Sequence, residues 1–171
     1  MNIKHARRFA AALIFSTAVL ATTGAYAKVY SIPAADAIAT VNAPDDWEPS
    51  EITNGIEMNS PDGDVYVSIE SVKADKISDA VAESVKVLTE QGLVLDQASK
   101  KTHDVEANGM KIHVYDYEAK DDDGPTEFSI SLVETRMPDT YVMFTARASA
   151  EAQKTNDAAM SAIMQSIQLT K

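Results

Sequence analysis

Residues 103–117 read His103-Asp104-Val105-Glu106-Ala107-Asn108-Gly109-Met110-Lys111-Ile112-His113-Val114-Tyr115-Asp116-Tyr117. Asn-Gly suits the positive-φ positions of a two-residue hairpin turn, and here it separates two extended-looking runs. Along the second run, Met110, Ile112 and Val114 point one way while Lys111, His113 and Tyr115 point the other. A loop at Asn108-Gly109 pairs Ala107 with Met110, which sets His103 against Val114 and Asp104 against His113. Cross-strand partners share a face and adjacent pairs alternate, so the two imidazoles project from opposite faces. That disfavours a joint metal site and makes His113 with Asp104 a surface ion pair.

The same punctuation recurs on both sides of this hairpin. Asn54-Gly55, Asp62-Gly63 and Asp123-Gly124 are further turn signals. Val65, Val67 and Ile69 alternate with Tyr66, Ser68 and Glu70; Phe128, Ile130 and Leu132 repeat the pattern, as do Val142, Phe144, Ala146 and Ala148. Ile77, Val81, Val85 and Leu88 recur instead at helical spacing, and Gly92 stands where a C-cap ends that helix. Met160, Ile163, Met164 and Ile167 share a second helical face, with Ser149 as N-cap and Glu151 in the first turn. The expected order is strands over 37–42, 50–60 and 64–73, a helix over 76–91, strands over 99–107, 110–119, 126–136 and 139–148, and a helix over 151–167. Hairpin-linked strands flanked by two helices define an α+β class with a mainly antiparallel sheet.

The chain opens with an export signal. Lys4, Arg7 and Arg8 precede an apolar run, Phe9 to Thr23, and Ala25-Tyr26-Ala27 places small residues before a signal-peptidase cut. The run is about 15 residues, short of the roughly 20 that span a bilayer. Cleavage after Ala27 is expected to release a periplasmic or secreted chain of 144 residues, with 28–36 as a lead-in and 37–171 as a single domain. The chain has no cysteine, which excludes disulfides, thiol chemistry and Cys-ligated metals, and no cofactor is implied. After Ala27, twelve Lys and Arg face 26 Asp and Glu, a formal charge of −14. Such a surface repels phosphate backbones, so a nucleic-acid partner is excluded.

The stretch Val41-Asn42-Ala43-Pro44-Asp45-Asp46-Trp47 resembles the opening of the PsbP/Mog1-like domains, a group that includes bacterial envelope proteins related to DcrB. Asn54 to Gly63, ending Ser60-Pro61-Asp62-Gly63, resembles that group's hairpin. The Asn108-Gly109 hairpin and the closing helix Ala162-Ile163-Met164-Gln165-Ser166-Ile167 also fit, so the resemblance spans 37–169. It implies an α/β/α sandwich around a central antiparallel sheet, and a non-catalytic module that binds or helps assemble other components. The DcrB-like branch is lipid-anchored, and this chain has no cysteine to carry a lipid.

Candidate site residues are few. Trp47, the one tryptophan, lies between Pro44 and Pro49 and reads as a core plug or lid. His113, Tyr115 and Tyr117 share a strand face, and Tyr66 and Tyr141 are available on other strands. Such aromatics form either a binding surface or the layer under the second helix. Asp121, Asp122, Asp123 and Glu127 make the densest acidic cluster, a candidate cation set whose spacing does not match an EF-hand loop. Asn59, Asp62 and Asp64 form a second oxygen set that turn chemistry explains equally well. The six methionines after the leader read as core filler. No motif with a catalytic mechanism appears, so the leading expectation is a non-catalytic module that contacts an envelope protein. The rival is a small-ligand or divalent-cation binder using the acidic loops or the tyrosine face.

Overall fold

The computed structural model describes residues 27–90, 92–122 and 124–170. The expected leader lies outside them, apart from Ala27. Among the described residues the order is β1 (Ala27–Ile32), β2 (Ala39–Pro44), β3 (Ser50–Ile52), β4 (Gly55–Asn59), β5 (Val65–Lys73), α1 (Ile77–Glu90), β6 (Val94–Leu95), β7 (Lys101–Ala107), β8 (Met110–Asp121), β9 (Gly124–Glu134), β10 (Thr140–Ala148), α2 (Ala150–Gln165) and β11 (Gln168–Leu169). One large sheet runs β3-β4-β5-β10-β9-β8-β6, with β7 also paired to β8. Its pairings are antiparallel.

The Asn108-Gly109 hairpin forms in the expected register, with Ala107 opposite Met110, His103 opposite Val114 and Asp104 opposite His113. Both turn residues have positive φ, 54° and 73°, the geometry that matches the twist of the strands they join. Gly55 is required for a different reason. A Cβ there would lie 1.9 Å from the Ile69 carbonyl oxygen, so only glycine lets β4 approach β5 at this point.

Alternation gives the large sheet two apolar faces. Val67, Ile69, Ile112, Val133, Val142 and Phe144 face one way, into a core shared with Ala152 and Ile163 of α2. Phe128, Ile130, Leu132 and Met143 face the other, under Ala80 and Val81 of α1. The two helices therefore flank a large antiparallel sheet, and the α+β class is as the pattern dictates. The Ser149 hydroxyl caps α2 by accepting from the Ala152 N–H at 3.2 Å.

Two features depart from expectation. The segment 28–36, read as a lead-in, begins with a strand: β1 pairs along its length with β2, and Tyr30 and Ile32 are buried. The run Val29 to Ile32 does alternate, but it is only four residues long before Pro33, too short for the pattern to stand out. The layer on the α2 side is also more than a helix. It contains a second, three-stranded sheet β1-β2-β11, which joins both ends of the described chain.

Candidate functional site

His113 sits on β8 opposite Asp104 of β7 and Leu132 of β9. Glu134 lies two residues beyond Leu132 on the same strand face. The ring is held from both sides: Nδ1 is 2.8 Å from Asp104 Oδ1, and Nε2 is 2.9 Å from Glu134 Oε1. Carboxylates only accept, so both contacts are hydrogen bonds only when both ring nitrogens carry a proton. Burial pulls the ring's pKa down, but the hydrogen bonds to Glu134 and Asp104 and their negative charges outweigh it. The pKa is raised above the ordinary histidine value. The other imidazole, His103, lies 3.7 Å from Asp116 on the opposite face.

Glu134 also lines a cleft of about 690 Å³ at this end of the molecule. Three segments distant in sequence build it: the β7–β8 turn, residues 134–136, and the end of α2 with β11. Asn108 Nδ2 donates to the Gln165 carbonyl at 3.2 Å, tying the turn to the helix end. Met110 and Ile167 supply buried apolar surface, while Lys111 and Arg136 are exposed. A smaller recess of about 180 Å³ adjoins Glu134 and Tyr141. Its turn is held by the Thr135 hydroxyl, which donates to the Thr140 carbonyl at 2.7 Å.

The tyrosines do not form one surface. Tyr115, Tyr117 and Tyr141 belong to the cluster under α1, the first helix and not the second, because the odd-numbered positions of β8 face that side. Tyr117 is buried with its ring 6.1 Å from Phe128, and burial raises its pKa. Lys100 Nζ lies 5.0 Å from the Tyr115 ring centroid, a cation–π contact at the edge of this layer. Tyr66 shares the face but stands on β5, on the far side of β9 and β10. Trp47 is buried on the α2 side as a core plug, 2% exposed.

The acidic cluster is divided by the pleat. Asp121 is opposite Gly124 on the face that carries Tyr117, whereas Glu127 is opposite Glu118 on the other face. Asp121 accepts from the Gly124 N–H at 3.2 Å and lies 3.8 Å from Arg147, Asp122 is exposed, and Asp123 lies outside the described residues. Among the described residues no group of three or more His, Asp or Glu is placed to hold a metal. Asp62 accepts from the Ser60 hydroxyl and from the Asp64 N–H, as a turn aspartate does. The Ser60 bond leads the interactions that lower its pKa.

Two groupings escaped the sequence. Glu134 is remote from His113 in the chain, and only the β8–β9 register brings them together. On the β4–β5 side, Tyr66 donates to Glu57 Oε2 at 3.0 Å; burial, then this bond and the Glu57 charge, push its phenol up to about 12. Ser68 lies between Glu57 and Thr145 in the register, and burial raises the pKa of nearby Glu70. The Thr145 hydroxyl is buried with no hydrogen-bond partner among the described residues.

No protein-family model matches the chain, and no curated protein matches it. Its tertiary structure is similar to that of cyanobacterial PsbP (CyanoP) from Synechocystis, with TM-score 0.59, 11% identity, and 89% of this chain and 97% of that one covered. It is also similar to the Saccharomyces cerevisiae Ran-binding protein Mog1p, with TM-score 0.50, 8% identity, and 86% and 97% covered. A Bacteroides thetaiotaomicron protein matches with TM-score 0.51 and 16% identity over 84% of this chain, which spans about half (48%) of that longer one. At these identities the likeness is one of fold, and the chain carries a PsbP/Mog1-like fold.

Proposed function

We propose that the chain is an exported, non-catalytic binding module of the cell envelope that docks another protein. The observation that carries this reading is the open cleft where the β7–β8 turn, residues 134–136 and the end of α2 converge, with buried apolar surface and exposed charged groups together. Export rests on the basic start, the short apolar run and Ala25-Tyr26-Ala27. A non-catalytic role is supported at His113, which in its protonated form donates from both nitrogens to carboxylates and has neither free to take a proton from a nucleophile. One solved protein of this fold is described as Ran-binding, which agrees with a docking role for the scaffold.

Site-specific photo-crosslinking in producing cells tests the reading. A photoreactive residue at Gln168, on the cleft, is expected to give a discrete adduct with one envelope protein. The same residue at Glu83, exposed on α1, is expected to give none. Equal labelling from both positions, or none from either, overturns docking at the cleft. Turnover of a small substrate by the purified protein overturns the non-catalytic role.

A further inference from the structure

Lys111 and Arg136 border the cleft in a chain whose formal charge after Ala27 is −14. Glu134 stands with them, and its carboxylate is held by His113 Nε2 while Asp104 takes Nδ1. Other charged or titratable groups on this sheet face near the ring are Glu106 of β7, opposite Lys111, Tyr141 of β10, opposite Glu134, and Tyr115, next on β8, with Lys100 over its ring.

We propose that the proton on His113 sets the charge of the cleft and thereby its grip on a carboxylate-bearing segment of the partner; this rests on the docking reading above. With the proton bound, the imidazolium offsets Glu134, and Lys111 and Arg136 dominate the rim. When the proton leaves for solvent, the neutral ring can donate from one nitrogen only, and the other turns a lone pair toward a carboxylate. The Asp104 arm opens, because that side chain is 80% exposed and water replaces the lost bond at little cost. Glu134 keeps its bond but loses the opposing charge, so the cleft gains one full negative charge beside the two cations.

NMR of the full chain after leader removal tests this directly. His113 is expected to titrate above the ordinary histidine value, and the backbone amides of Glu134, Thr135 and Arg136 to shift through the same midpoint. His113→Gln is expected to abolish that amide transition, and Glu134→Gln to lower the His113 midpoint, with Trp47 fluorescence reporting that each variant is folded. Amides that do not move through the His113 midpoint, or a midpoint at or below the ordinary value, overturn the switch. If His113→Gln does not fold, the Glu134→Gln midpoint decides alone.

A fluorescent oligoglutamate peptide supplies the second measurement. Its affinity is expected to fall by about fivefold between about pH 6 and about pH 9, the effect of one exposed charge. The fall is expected to disappear in His113→Gln. A pH-independent affinity overturns the switch. A peptide that binds at neither pH, while the amides follow His113, counts against docking of acidic segments and leaves the proton-set charge standing.

Discussion

At the residue scale, His113 joins three strands through one ring, because both of its nitrogens meet a carboxylate on a different neighbour. Its folded pKa is raised, so the stabilisation it gives is complete below the unfolded value and is lost as pH rises through the folded value. Urea unfolding at a series of pH values is expected to show that loss in the native chain and a flatter profile in Glu134→Gln. At low pH the variant is expected to be weaker by about 0.5–1 kcal/mol, the range for a partly exposed charged bond. Gly55 permits a sharper test. Gly55→Ala places a methyl against the Ile69 carbonyl, where the strand backbone must move, and is expected to cost about 3 kcal/mol in the same assay. A cost below about 1 kcal/mol would mean that β4 can move away from β5 freely.

At the element scale, most regular segments were legible because period and punctuation agree. The stripe Ile77, Val81, Val85 and Leu88 predicts α1, and Ser149 predicts the start of α2. Ser149→Ala is expected to lower stability by about 1 kcal/mol through loss of the Ala152 N–H bond, measured by thermal or urea unfolding. The short strands were not legible. β6 and β11 have two residues each, too few for a period of two to register. β1 is longer, but its partner β2 is reached through the turn after Pro33, and its burial depends on that pairing. Tyr30 and Ile32 fill the α2-side core, so a chain beginning at Ala37 is expected to be destabilised by at least about 3 kcal/mol relative to one beginning at Lys28. Equal melting temperatures would show β1 to be dispensable.

At the scale of the whole molecule, the expected cut falls directly after Ala27, the exposed first residue of β1, and leaves the buried Tyr30 and Ile32 in the released chain. Mass spectrometry of the protein from envelope extracts is expected to find Lys28 at the amino terminus. An intact leader there would place the chain on the membrane instead. The sequence by itself determined the class, the two helices, the β7–β8 register and the opposite facing of the two histidines, because each depends on neighbours along the chain or across a two-residue turn. Only tertiary structure decided that Glu134 completes the grip on His113, that the pleat separates Asp121 from Glu127, and that the turn at Asn108, residues 134–136 and the end of α2 enclose one cleft. Those groupings arise from pairing and packing between segments far apart in sequence, and local periodicity carries no record of which distant segment will be the neighbour.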